Sequence, residues 1–229
     1  TFGGGVKVLE SEVFLGALDN LQTLTVHDGV EEIGDETFKG CYKLAQVELP
    51  SSLKRIGNNA FYSTAIASLT TPASIGESAF EKCYNLTSVT LLDGAEYVGP
   101  RAFRYDAALT EFTAGRSLKS IGESAFYGCK QMGKAYLGEQ LQTIGDNAFY
   151  ECKSLADVTM PETVEQIGDY AFFSAPVREL TTAANIGTGA FQNCDSLRSV
   201  IFLDGVETIG DAAFSHADSL ETVVFPNTL

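Results

Sequence analysis

The chain has 229 residues, of which 45% are apolar and 20% are charged, so it can form a packed core and is not an intrinsically disordered chain. Its 15 basic and 30 acidic residues give a net charge of −15. Because a strongly acidic chain repels phosphates and anionic lipids, we expect neither nucleic acid binding nor direct membrane insertion.

Neither a membrane-spanning run nor a signal peptide is recognised in the given residues. No stretch approaches the roughly 18 apolar residues that a membrane-spanning helix needs, and residues 1–20 lack a basic segment followed by an apolar one. The chain begins with Thr1 rather than Met, so we expect a trimmed fragment. The residues themselves do not indicate a location in the cell.

A short strand pattern recurs along the chain. It begins at residues 21–26, continues at segments such as 44–49, 86–91, 155–160 and 197–202, and ends at 220–225. In each segment the first, fourth and sixth residues are apolar, whereas the third and fifth are often Thr, Ser or charged. This alternation predicts half-buried strands, about ten in all.

A second motif lies between these strands. An Ile or Val followed by Gly occurs nine times, at intervals of 23 or 19 residues: Ile33, Ile56, Ile75, Val98, Ile121, Ile144, Ile167, Ile186 and Ile209. A Phe follows five residues later in every case: Phe38, Phe61, Phe80, Phe103, Phe126, Phe149, Phe172, Phe191 and Phe214. We place Leu15 in the same column for the first unit. The fixed spacing identifies tandem structural repeats.

The repeat length determines the predicted fold. A unit of 19–23 residues with one strand cannot bury its apolar face alone, so neighbouring units must stack. We predict a leucine-rich-repeat solenoid with one parallel β-sheet of about ten short strands and with short turns or helical turns on the other faces. Residues 1–229 then form a single domain of about ten units.

Each column of the repeat has a predicted role. The Gly allows either a positive φ or a close approach of two backbones. The following residue is often Asp, Asn or Thr, types that cap a short helical turn. The Phe column is predicted to form an aromatic spine through the core.

These motifs resemble a known family. Units such as SIGESAFYGCKQM (120–132) and QIGDYAFFSAPV (166–177), joined by strands such as LTSVTL, are similar to BspA-like leucine-rich repeats of bacterial and protist surface proteins. The resemblance extends from residue 15 to residue 229. It implies a role in adhesion or protein binding at a cell surface, and it does not imply catalysis.

The two short units indicate a longer period. Positions 33, 56, 75 and 98 recur at 144, 167, 186 and 209, an offset of 111 residues. The segment CYKLAQVELP (41–50) likewise aligns with CKSLADVTMP (152–161). We therefore expect that a block of five units was duplicated.

The cysteines occupy one further column, three residues after the Phe: Cys41, Cys83, Cys129, Cys152 and Cys194. A redox or metal ladder is one interpretation, but a small side chain in a semi-buried position explains the column more simply. We predict reduced, mostly buried cysteines and no metal or other cofactor, with Cys129 and Cys152 as the one pair close enough for a disulfide. The Asp-Gly pairs at 28–29, 93–94 and 204–205 are interpreted as tight turns rather than calcium ligands.

Two surfaces are candidate binding sites. On the predicted sheet face, outward positions that interrupt a Ser/Thr-rich surface are Glu111, Lys134, Tyr136, Asp157, Glu179, Ile201 and Val224. The alternative is an aromatic ladder one residue after the Phe column, formed by Tyr127, Tyr150 and Phe173, which also has a simpler interpretation as a shield for the Phe spine.

The leading functional hypothesis is a non-enzymatic recognition or adhesion module. It would bind a protein or glycan, such as a host matrix protein or a mucin, through the sheet face, outside the cell or on its surface. A spacer that projects another domain is the first alternative. A glycan-active enzyme that uses Glu111 and Asp157, or an accessory module of one, is the second.

Overall fold

The computed structural model describes residues 5–14 and 19–226. These residues form a solenoid of parallel strands, which confirms the predicted fold class. In chain order the strands are β1 (Val8–Leu9), β2 (Thr23–Thr25), β3 (Glu32–Ile33), β4 (Gln46–Glu48), β5 (Arg55–Ile56), β6 (Ser68–Thr71), β7 (Ser74–Ile75), β8 (Ser88–Leu91), β9 (Tyr97–Val98), β10 (Glu111–Thr113), β11 (Ser120–Ile121), β12 (Lys134–Tyr136), β13 (Thr143–Ile144), β14 (Asp157–Thr159), β15 (Gln166–Ile167), β16 (Glu179–Thr182), β17 (Asn185–Ile186), β18 (Ser199–Phe202) and β19 (Thr222–Val224).

The ten longer strands lie on one face of the solenoid, which we call the sheet face. They pair in the orders β2-β4, β6-β8-β10-β12-β14 and β16-β18-β19. The sheet is therefore divided in two places, and each division falls in one of the 19-residue units. Strand bounds recur at the 111-residue offset, as in β6 and β16, while the block duplication itself stays a prediction.

A second parallel sheet was not predicted from the sequence. It has nine strands of two residues each, in the order β1-β3-β5-β7-β9-β11-β13-β15-β17, and we call it the narrow sheet. Its strands contain the Ile or Val of the Ile-Gly motif. A two-residue strand is too short to produce an alternating pattern, so sequence periodicity does not reveal it.

The Gly of the Ile-Gly motif serves the close approach of two backbones. A Cβ on Gly57 would lie 2.6 Å from the main-chain nitrogen of Asp35 in the preceding unit. None of the nine motif glycines has a positive φ. The next unit therefore packs directly against the backbone at this position, where any side chain would clash.

The connections between the two sheets are turns, and no helix occurs in residues 5–14 and 19–226. The predicted helical-turn caps are consequently wrong. Instead, Asp35 Oδ1 accepts from the Asn58 main-chain N–H of the next unit at 2.8 Å, and Asn58 Oδ1 accepts from Glu77 N–H at 2.9 Å. Asp146 and Asp169 repeat the arrangement at 2.8 and 2.7 Å. These side chains hold neighbouring units together rather than capping their own turn.

The Phe column forms the predicted spine. Rings from Phe14 to Phe214 stack one on the next, with centroid separations of 5.0–5.7 Å. Phe14 fills the first position of the column, whereas Leu15, to which the sequence pattern assigned it, lies outside the described residues. The eight rings from Phe38 to Phe191 are fully buried.

Candidate binding surfaces

The predicted charged positions lie in one row across the five-stranded part of the sheet face. Glu111 of β10 pairs in register with Lys134 of β12, which pairs with Asp157 of β14. All three side chains are exposed. Lys134 thus lies between Glu111 and Asp157 in this row.

Tyr136 lies in the next outward row of the same sheet. It pairs with Thr113 of β10 and Thr159 of β14, and 38% of the residue is exposed. A large ring flanked by two short threonine side chains stands above its surroundings, because a side chain on a strand projects nearly perpendicular to the sheet.

Ile201 and Val224 form a separate apolar pair on the three-stranded part of the sheet face. They are in register on β18 and β19, with exposed fractions of 38% and 45%. Glu179 lies on β16, the outer strand of the same sheet, and is also exposed. The seven predicted positions therefore form two groups, one on each side of the interruption between β14 and β16.

This interruption contains a crevice that was not predicted from the sequence. Both strands are fully described, and no Cα atom of β14 lies within 8 Å of a Cα atom of β16. Neighbouring hydrogen-bonded strands are, by contrast, about 4.8 Å apart. The crevice has a volume of about 320 Å³, with Phe172 and Phe191 of the spine among its lining residues. The shortened spacing from Ile167 to Ile186 was the available signal.

The alternative aromatic ladder is present. Tyr127 stacks on Tyr150 with ring centroids 4.8 Å apart, and Tyr150 stacks on Phe173 at 4.5 Å. Tyr105 extends the ladder with an edge contact to Tyr127 at 5.5 Å, and the Arg104 guanidinium lies 4.6 Å above the Tyr105 ring. The three stacked rings are half-buried, and burial raises the pKa of the Tyr127 hydroxyl.

The cysteines are free and buried, as predicted. Four of the thiols donate to a main-chain carbonyl of the preceding unit, as Cys129 does to Phe103 at 3.1 Å and Cys152 to Phe126 at 3.2 Å. Burial raises the pKa of Cys41 to about 11 and of Cys194 to about 12. The neutral thiol is a poor nucleophile, so these side chains are suited to packing rather than to chemistry.

We expect the cysteines to be unreactive in the folded protein. A thiol reagent at pH 7 should label all five cysteines of the protein unfolded in denaturant. It should label them far more slowly in the folded protein, because burial suppresses formation of the reactive thiolate. A count of three after unfolding without reductant would instead show a disulfide, with Cys129 and Cys152 as the pair to examine first.

One member of the cysteine column is a carboxylate. Asp106 is fully buried, and its Oδ1 accepts from the main-chain N–H of Cys83 at 2.7 Å. Its Oδ2 has no hydrogen-bond partner. Burial raises the pKa of Asp106 well above the usual value, and the neighbouring Glu81 carboxylate raises it further.

The described part of the chain has neither a metal-ligand cluster nor a membrane-spanning helix. Residues 5–14 and 19–226 contain no group of three or more His, Cys, Asp or Glu side chains placed to hold a metal ion. They also contain no helix of the length and apolar character that crossing a bilayer requires. The Asp-Gly pairs are tight turns, with φ of 104°, 116° and 113° at Gly29, Gly94 and Gly205.

Comparisons with known proteins agree with the repeat architecture. A family model for the BspA type leucine-rich repeat region matches in six copies, over residues 7–132, 73–186 and 120–229. No curated protein matches the chain at a significant level.

Solved structures are also similar to the chain. A leucine-rich repeat protein of T. pallidum is 24% identical with a TM-score of 0.54, and the match covers 74% of this chain and 70% of that one. A leucine-rich cell surface protein of Faecalibacterium prausnitzii is 18% identical, with a TM-score of 0.48 and coverage of 100% and 86%. A Bacteroides ovatus leucine-rich repeat protein is 20% identical, with a TM-score of 0.45 and coverage of 95% and 82%. The T. pallidum match supports the fold alone.

Proposed function

Because the chain belongs to the BspA-type leucine-rich repeat family, we propose that it is a non-enzymatic recognition module that binds a protein or a glycan through its sheet face. Family membership already indicates a protein-interaction or structural module. The finer proposal is supported chiefly by the exposed Tyr136 beside the row Glu111, Lys134 and Asp157.

Those residues form a surface that combines an aromatic ring with acidic and basic groups, which a partner can recognise. A half-exposed aromatic ring supplies contact area at small entropic cost, and the charges beside it favour a partner with complementary charges. Ile201 and Val224 add apolar area on the other side of the crevice. These two side chains are exposed and do not belong to the buried core, and exposed apolar patches are typical of interaction sites.

The proposed setting is the surface of a cell, where a partner such as a host matrix protein or a mucin is accessible. This part of the proposal rests on the family, whose repeats are found in surface proteins. A spacer function is the second candidate, and it is favoured by the continuous stack of Phe rings, which ties every unit to the next.

Tyr136→Ala is expected to weaken partner binding by about 1 kcal/mol or more, because a central aromatic side chain often dominates an interface. The partner is first identified by screening immobilised matrix proteins, mucins and glycans. Affinity is then measured by surface plasmon resonance, and thermal stability should change little because Tyr136 is not among the buried core residues.

Tyr97→Ala is the matched control. Tyr97 is also 38% exposed, but it lies on β9 of the narrow sheet, so its loss should leave affinity unchanged. The triple variant combines Tyr136→Ala, Ile201→Ser and Val224→Ser. If it binds the partner with the affinity of the wild type, binding through the sheet face is refuted. The ladder of Tyr127, Tyr150 and Phe173 would then be tested in the same way. A screen without any ligand would favour the spacer.

A further inference from the structure

The crevice between β14 and β16 separates two strands that occupy consecutive positions on the sheet face. Two strands separated by one absent strand lie about 9.6 Å apart, twice the usual spacing, and the Cα atoms of β14 and β16 are all more than 8 Å apart. The narrow sheet remains continuous behind the crevice, because β15 still pairs with β17 in register. The opening is therefore confined to the sheet face.

The main chain on each side of the crevice is directed into it. Asp157 N–H donates to the carbonyl of Gly133, and the carbonyl of Thr159 accepts from Leu137 N–H, both at 3.3 Å. The main-chain groups of these two β14 residues therefore point towards β12. Alternation along a parallel strand then directs the N–H and C=O of Val158 into the crevice.

On the opposite side, the main-chain carbonyls of Arg178 and Thr182 accept from N–H groups next to β18, those of Arg198 and Leu203, both at 2.8 Å. Because the direction alternates along the strand, the main-chain groups of Glu179 and Thr181 face the crevice. Within the described ranges, no protein group bonds to the main chain of Val158, Glu179 or Thr181. Both sides therefore present free strand edges, which are templates for pairing with another chain.

The side chains around the crevice specify what kind of strand fits. On the outer surface, Asp157 and Glu179 are the first residues of β14 and β16, one on each side of the crevice. Lys134 already lies between two carboxylates in this row, those of Glu111 and Asp157. A Lys or Arg on the inserted strand would continue the alternation of charge across the sheet.

The interior position of the inserted strand would be apolar. Its side chain would enter the cavity of about 320 Å³, which Val158, Val177, Phe172 and Leu180 help to line. The following outward residue would lie between Thr159 and Thr181, where a β-branched or aromatic side chain suits the surface. Arg178 lines the entrance to the same crevice, so the residue before the basic one should not be basic.

We propose that the crevice between β14 and β16 binds an extended segment of a protein partner by parallel strand addition, with the pattern basic, apolar, then β-branched or aromatic. Main-chain bonds to Val158, Glu179 and Thr181 supply affinity, and Asp157 and Glu179 select the basic residue. This inference deepens the proposed function and rests on it only in assuming that binding a partner is the role of the protein.

The test uses a synthetic peptide rather than a natural partner. The probe is a fluorescent copy of residues 131–138, Gln-Met-Gly-Lys-Ala-Tyr-Leu-Gly, with valine at the position of Ala135 to fill the larger cavity. We expect saturable binding to the whole protein by fluorescence anisotropy. N-methylation at the valine and tyrosine nitrogens removes two main-chain donors and should weaken binding about tenfold or more. N-methylation at the final glycine, beyond the crevice, is the control.

Charge reversal tests the specificity. A peptide with glutamate in place of the lysine should bind the wild type about tenfold more weakly or worse, and the variant with both Asp157→Lys and Glu179→Lys should prefer the glutamate peptide. Glu139→Gln, an exposed carboxylate on a turn, is the matched control and should change neither affinity.

The outcomes separate this inference from the proposed function. No saturable binding of the peptide, or equal affinity of the N-methylated and parent peptides, would overturn strand addition even where a partner from the screen binds through Tyr136. Conversely, peptide binding that follows the expected pattern supports the crevice site, whether or not the screen yields a partner for the remainder of the sheet face.

Discussion

Replacing Phe126 by alanine is expected to lower the free energy of unfolding by about 3–5 kcal/mol. The ring is fully buried and stacks on Phe103 and Phe149 at 5.3 and 5.1 Å. It also contacts Phe112 from the sheet face at 4.7 Å. Removing it leaves a cavity between two units whose backbones are already in close contact, so the neighbours cannot collapse fully into the space.

Urea unfolding followed by circular dichroism measures the effect. Tyr84→Ala is the control, since Tyr84 is 57% exposed and its loss should change the free energy by no more than about 0.5 kcal/mol. A loss below about 1.5 kcal/mol for Phe126→Ala would show that the spine is not the main source of cohesion between units.

Replacing Asp106 by cysteine is expected to stabilise the protein at pH 7 by about 1–3 kcal/mol, because the substitution removes a buried carboxyl oxygen that has no partner. Cysteine is the residue that five other units have in this column, and its thiol can donate to a carbonyl as that of Cys129 does. Cys83 N–H keeps a second acceptor, the carbonyl of Phe80 at 3.1 Å.

The stabilisation by Asp106→Cys should increase as the pH rises from 4 to 7. Since burial raises the pKa of Asp106 in the folded state, the folded chain retains a proton that the unfolded chain releases near pH 4. The contribution of Asp106 to the stability of the wild type therefore falls as the pH rises above about 4, until the folded-state pKa is reached, and is constant beyond it. The advantage of Asp106→Cys should be small at pH 4 and largest at neutral pH.

Urea titrations at pH 4, 5.5 and 7 under reducing conditions measure this difference. Asp106→Asn retains the shape but cannot titrate, so it should also remove the part of the pH dependence that Asp106 causes. Asp218→Asn, at an exposed position, should change stability at pH 7 by no more than about 0.5 kcal/mol. If Asp106→Cys is less stable than the wild type at pH 7, the carboxylate has a stabilising partner in solution.

The repeat columns explain how much could be predicted from the sequence. The strands of the sheet face, the Phe spine and the buried cysteines follow from residue type at a fixed spacing, since each requires a particular side chain. The narrow sheet was missed because its strands are held mainly by backbone bonds between units, such as Gly57 N–H to Ile33 at 2.7 Å, which leave little trace in side-chain pattern.

Left-handed turns were missed for a similar reason. The third residue after each Ile or Val of the Ile-Gly motif has a positive φ, including residue types that rarely adopt it, such as Glu36, Arg101 and Tyr170. The neighbouring unit imposes this conformation, as in the bond from Glu36 N–H to Asn58 at 2.8 Å. The crevice likewise depends on how a shortened unit is accommodated, which the local sequence does not encode.

The spacing of the bonds between units affects how the chain reaches its native state. The hydrogen bonds that join neighbouring units connect residues 18 to 27 positions apart, as in Phe61 N–H to Ala79 and Thr37 Oγ1 to Glu10, which is about one tenth of the 229 residues. That relative contact order is usual for helical bundles and is well below that of β-sandwiches. Each unit closes only a short loop onto the one before it, so this all-β protein avoids the large loop-closure entropy that slows the folding of most others.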